Sequence, residues 1–227
     1  MPRANLERAL TAAAGNGHAT IVSALLTFAT QQGLNASDFI TRWTINKTIN
    51  GGHAAVFKAP ASACPDVINF PLGHGTLPLY EAVRRRQHPA VVTVLLELGG
   101  DPFHPVAPPK KISSYNSSLL SYAAMAKGIR MTEILLGQGL PIAQTAAIHT
   151  AARFGHLDTM RLLMEHGADL NEVIPNWANW TPMHFAASRG RVDAMELLEN
   201  SGARSDLKDV DGKTPAQLLE ECTTTEH

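Results

Sequence analysis

The sequence predicts an all-α stack of paired helices, and three observations predict it. First, residues 181–203, TPMHFAASRGRVDAMELLENSGA, repeat the pattern of residues 146–168, AAIHTAARFGHLDTMRLLMEHGA, at a displacement of 35. Second, Thr214-Pro215 repeats Thr181-Pro182 at a displacement of 33. Third, each copy carries a pair of small residues, Ala151-Ala152 or Ala186-Ala187, and then a glycine, Gly155 or Gly190. A fixed period of this length marks a repeat architecture, in which no unit has a core of its own.

Each element of the pattern has a physical reason. Thr181 offers a hydroxyl to the free N–H groups of a helix start, and Pro182 is tolerated in the first turn. The alanine pairs let neighbouring helices approach closely, and Gly155 and Gly190 end the first helix by accepting a left-handed conformation. A second helix carries Leu162-Leu163 or Leu197-Leu198 inward and ends at Gly167 or Gly202. This pattern resembles the ankyrin repeat, whose period is about 33 and whose signature is T-P-L-H-x-A.

Weaker copies lie upstream. Residues 118–142 align with the following copy at a displacement of 28, with Ala123-Ala124, Ile134-Leu135 and Gly139 in the expected places and Ser121 for the signature histidine. Residues 75–102 put Tyr80 in the histidine's place, and Ala13-Ala14-Gly15-Asn16-Gly17-His18 reads as an atypical first copy. The resemblance implies one ankyrin-repeat solenoid over 1–227, of about five helix-turn-helix repeats plus a C-terminal cap, with one long insertion. Its parts are an atypical first repeat at 1–33, the insertion at 34–74, repeats at 75–104, 105–143, 144–178 and 179–211, and a cap and tail at 212–227. Within the insertion, Phe39 to Ile49 reads as a helix and Asn50-Gly51-Gly52 as a turn. Val56-Phe57 and Val67 to Phe70 read as short paired strands. The competing reading is that 34–74 conceals a degenerate repeat. His104 to Asn116, with three prolines, reads as an elongated finger loop.

Composition narrows the function. Hydrophobic residues make up 44% and charged residues 17%, as in a globular chain. Nineteen Lys and Arg against twenty Asp and Glu leave a formal charge of −1, so bulk attraction to nucleic acid or to a membrane surface has no support. The two cysteines, Cys64 and Cys222, belong to no metal or redox motif, which points to a reducing, intracellular setting, cytoplasmic or nuclear. The apolar run from Thr20 to Thr30 is too short for a membrane span. No phosphate loop, nucleophile elbow or metal-ligand spacing occurs, so neither a cofactor nor a metal is expected.

The resemblance also implies where a partner binds: first helices and fingers line one concave surface. On it fall Arg84, Arg85, Tyr115, Arg153, Phe154, Trp177, Trp180 and Arg189. Arginine forks suit carboxylates, and aromatic residues supply rigid contact area, so the expected partner is another protein, offering a peptide or loop with acidic and apolar side chains. The resemblance gives His149 and His184 a structural role between adjacent repeats. An alternative of another class has 34–74 folded over the concavity to enclose a small molecule, as a binding protein or an atypical enzyme. That enzyme would use metal-independent acid–base chemistry, with His53, Tyr80, Tyr115 and His149 as candidate groups.

Overall fold

Short helices joined two by two make up the computed structural model, which describes residues 3–72, 76–85, 88–103, 118–174 and 177–224. The chain separates into two units, Met1–Ala107 and Pro108–His227. No strand occurs among the described residues, and Ile174 and Trp180 form an isolated bridge. The finger expected from His104 to Asn116 lies outside the described residues.

In the first unit, α1 (Arg3–Gly15) pairs with α2 (Ala19–Gln31), and α5 (Pro78–Arg84) pairs with α6 (Pro89–Glu97). Between them stand α3 (Arg42–Gly51), a 3-10 turn at Ala54–Phe57 and α4 (Lys58–Ala63). Helix α3 packs on both α1 and α5, α4 packs on α2, and α6 packs on the Ala54–Phe57 turn. The segment 34–74 therefore holds a helix pair in line with its neighbours, which is the degenerate-repeat reading. Thr41 starts α3 by accepting a hydrogen bond from Thr44 N (3.4 Å).

The strand expectation within that segment is corrected. Val56-Phe57 and Val67-Ile68 sit in 3-10 turns, Ala54–Phe57 and Pro65–Asn69. Both members of each pair are buried. A strand turns successive side chains to opposite faces, whereas one tight helical turn sends two neighbours into the same core.

A histidine at the start of each second helix locks the pairs together. His18, His53 and His88 recur at spacings of 35. A Cβ on Gly17 would lie 2.5 Å from the His53 ring, and one on Gly52 would lie 2.5 Å from the His88 ring. Both glycines are left-handed, with φ of 80° and 70°. Each imidazole thus covers the turn that ends the preceding first helix, and the absent side chain makes the room.

In the second unit, α7 (Leu119–Ala124) pairs with α8 (Arg130–Leu136), α9 (Ala147–Phe154) with α10 (Leu157–Glu165), and α11 (Pro182–Ala187) with α12 (Val192–Asn200). Helix α13 (Pro215–Thr224) closes the row of first helices against α11. Ala123-Ala124, Ala151-Ala152 and Ala186-Ala187 are fully buried, as close helix approach requires. Thr181 and His184 form a reciprocal cap at the start of α11. Where Ser121 replaces the histidine, its hydroxyl meets that of Thr150 on the next first helix at 2.9 Å.

Replacing Gly17 with alanine forces a side chain into a left-handed residue and against the His53 ring. A loss of about 1–3 kcal/mol is expected in urea unfolding, and the added substitution His53→Ala should restore part of it by removing the clash. Equal loss with and without the imidazole would show that the two residues do not meet.

Candidate partner-binding site

The finger between α10 and α11 positions the aromatic residues. Ala178 and Asn179 both have φ of 55°, and Trp180 N donates to Trp177 O at 2.9 Å, so the chain reverses in a tight turn of the primed hairpin type. Ile174 N donates to Trp180 O (3.2 Å) just beyond it. This turn swings both indoles onto Phe185 of α11, with ring centroids 5.5 Å away for Trp177 and 5.3 Å for Trp180. Ala146 and Ile174 complete the cluster.

The two tryptophans differ in what remains available. Trp180 is committed to the fold: its indole N–H donates to Asp209 Oδ2 at 3.2 Å. Asp209 also accepts from Asp211 N and Lys213 N, both at 2.9 Å on Oδ1. Burial alone would raise the Asp209 carboxyl, but these hydrogen bonds outweigh it and hold the pKa below the usual range. Trp177 instead carries a cation, for the Arg153 guanidinium lies 5.6 Å from its ring centroid. Burial lowers the Arg153 pKa, and the charge of Arg189 lowers it further. Neither arginine forms an ion pair with any described residue. Phe154, next to Arg153, is 40% exposed and stacks on His156. Four of the expected residues, Arg153, Phe154, Trp177 and Arg189, therefore belong to one surface, while Trp180 serves as its support.

The expected arginines of the first unit are differently engaged. Glu81 is almost buried and accepts from Arg84 at 2.8 Å and from Arg85 Nε at 2.9 Å. Burial would raise its pKa, yet the two guanidiniums reverse the sign and lower it. Arg85 reaches on to the Asn46 and Asn50 side-chain oxygens of α3. It is a strut between α5 and α3, and its donors are spent there. Arg84 remains 42% exposed beside Glu81.

The groups named for acid–base chemistry have other surroundings. The His53 ring fills the space over Gly17 and Gly51, and Tyr80 is buried in α5. Tyr115 lies outside the described residues. In the second unit, His149 is buried and its Nε2–H donates to Glu172 O at 2.7 Å. The segment 34–74 lines an open groove of about 540 Å3 with α2, and Lys58 is the ionisable group in that lining. Neither His53 nor Tyr80 borders it.

Reading the sequence missed two groups. Asp209 organises the last finger through partners on both sides of it in the chain. Trp43, 63% exposed on α3, fell inside the stretch taken as an insertion. The 35-residue spacing of His18, His53 and His88 is the signal that could have placed it on a first helix.

Residues 148–199 match a family model described as ankyrin repeats in many copies. The human ASB11 ankyrin repeat domain superimposes with a TM-score of 0.72, covering 96% of this chain and 97% of that one at 24% identity. The chain has the ankyrin-repeat fold. The ankyrin repeat domain of Bcl-3 shares the fold too, with a TM-score of 0.67 over 93% of this chain and 96% of that one, at 19% identity. In sequence, the ankyrin-repeat chain is 37% identical over 75 residues to protein phosphatase 1 regulatory subunit 27 of Homo sapiens, which is 33% of this chain and 47% of that protein. It is 27% identical over 157 residues to SH3 and multiple ankyrin repeat domains protein 2 of Homo sapiens, 66% of this chain and 8% of that protein. The chain thus spans less than half the length of these relatives.

The buried His149 of this ankyrin-repeat chain predicts a pH dependence. Burial lowers its pKa from 6.5 to about 4, against a smaller opposing effect of the Glu172 carbonyl. The folded state holds the neutral ring, so the stabilisation is complete above pH 6.5. It is lost as pH falls from 6.5 to about 4, by on the order of 3 kcal/mol. Urea midpoints should drop more steeply across that window in the native sequence than in His149→Gln. Parallel profiles would exclude this histidine as the cause.

Proposed function

We propose that the chain is a non-catalytic protein–protein interaction module. It grips its partner on the concave arginine and aromatic surface of the second unit, where Arg153, Phe154, Trp177 and Arg189 meet. The observation that carries this reading is the state of the two guanidiniums. They repel each other, they lack a carboxylate among the described residues, and one is held over an indole face. An unbalanced, oriented pair of forks beside exposed aromatic area suits a peptide or loop that brings a carboxylate together with an apolar side chain. Arg84 is paired with Glu81 and stands apart from this surface, while Arg85 and Trp180 act by holding neighbouring elements in place. The ankyrin-repeat match over residues 148–199 and likeness to a phosphatase regulatory subunit support a role exercised on another protein. Cys64 and Cys222, which belong to no metal or redox motif, suit an intracellular, cytoplasmic or nuclear setting.

Reversing both charges tests the surface without disturbing the core. Arg153→Glu with Arg189→Glu should reduce capture of the partner from native extract by about tenfold or more. Urea unfolding should change by no more than about 1 kcal/mol, the value of the lost cation–π contact. Captured proteins are quantified by mass spectrometry for the native and doubly substituted chains. An identical set at identical abundance would remove this surface from the function.

A further inference from the structure

We infer that the first unit carries a second docking site, on α1 and α3, for an acidic segment of a partner protein with an aromatic or aliphatic side chain beside its carboxylate. A groove of about 470 Å3 runs between these helices. Its shape follows from side-chain size. Helix α1 contributes Ala4, Ala12 and Gly15 among the longer Glu7, Arg8 and Thr11, whereas α3 raises Trp43 and Lys47 as a wall. Small residues beside a tall indole leave a trough that no described side chain fills.

The chemistry of the trough specifies the occupant. Trp43 is 63% exposed, although an indole gains more than most side chains from burial. The other two tryptophans of the chain, Trp177 and Trp180, both pack on Phe185. Lys47 Nζ stands 5.5 Å from the Trp43 ring centroid, and Arg8 borders the trough from α1. Neither cation pairs with any described carboxylate, although Arg3, Arg84 and Arg85 of the same unit all do. Glu7 is the one carboxylate of the lining, so the balance there is two cations to one anion. An apolar platform flanked by uncompensated cations complements an anionic segment that also presents an apolar side chain. Because the chain as a whole is formally −1, this attraction is local. It goes beyond the site proposed above, since it uses other residues on another unit.

The test is selection of phage-displayed random dodecapeptides on the intact chain. Enriched sequences should hold Asp or Glu within two residues of Phe, Tyr, Trp or Leu. Synthetic forms of them should lose about tenfold or more in affinity for Trp43→Ala and for Arg8→Glu with Lys47→Glu. Circular dichroism and urea unfolding confirm that these variants fold. The same peptides should keep their affinity for Arg153→Glu with Arg189→Glu. Failure to enrich any peptide, enrichment without carboxylates, or full affinity for both first-unit variants overturns the inference. Loss only in the second-unit variant also overturns it, and leaves the proposed function standing. Vesicles containing phosphatidylserine serve as a further probe: capture of the native chain by them, abolished by the first-unit variants, would assign the trough to a lipid surface instead.

Discussion

Side chains that reach from one helix pair into the backbone of the next hold the second unit in register. His149 Nε2 donates to Glu172 O at 2.7 Å, His184 Nε2 donates to Lys213 O at 3.2 Å, and His156 Nδ1 lies 3.0 Å from Ala124 O. A two-helix unit of this size cannot bury its apolar stripe alone, so its stability comes from the interface with its neighbours. The finger carbonyls at those interfaces would be buried without partners if the pairs slid past one another, at a cost of about 1–3 kcal/mol each. These links therefore fix the alignment that lets the alanine pairs of α7, α9 and α11 meet with no exposed surface.

The repeats do not meet this constraint equally well. At α11 the Thr181 hydroxyl lies 2.8 Å from His184 Nδ1, so both ring nitrogens of that histidine are engaged. At α9 the corresponding residue is Ala146, which has no hydroxyl to offer, and His149 Nδ1 is buried without a hydrogen bond. Ala146 is also left-handed, with φ of 56°. Loss of one threonine thus leaves an orphaned acceptor and a strained start to the helix. The buried ring then has a single partner, and desolvation dominates its titration.

The same differences explain what was legible in the sequence. The second unit could be read because its Ala pairs, Thr-Pro starts and terminal glycines each do a local job that leaves a local mark. The pair at 42–63 was hidden because Thr48-Ile49 stands where α1, α7, α9 and α11 carry two alanines, and because Pro60 falls inside the short α4. The imidazoles over left-handed glycines kept the period even there. The positions after the alanine pairs include Arg153, Phe154 and Arg189, of which Phe154 and Arg189 are exposed and Arg153 is half-buried. What could not be seen locally was which neighbours had claims on the other candidates. Asn46 and Asn50 hold Arg85 from 39 and 35 positions away, and Asp209 holds Trp180 from 29.

Whether a cation on a first helix is spent or kept turns on what stands one helical turn before it. Arg85 has Glu81 four residues upstream, and Arg84 has the same carboxylate three residues upstream, so both are paired with it within α5. The residues four places before Arg153, Arg189 and Lys47 are His149, Phe185 and Trp43, all rings. An aromatic neighbour can orient a cation without neutralising it, as the indoles do for Arg153 and Lys47. Desolvating an uncompensated charge inside a core is prohibitive, but holding one at a surface over a ring is inexpensive and leaves its attraction to an anion intact. A carboxylate one turn upstream pairs Arg84 and Arg85 within their own helix, whereas Arg153 and Lys47 lie over indoles and keep their charge.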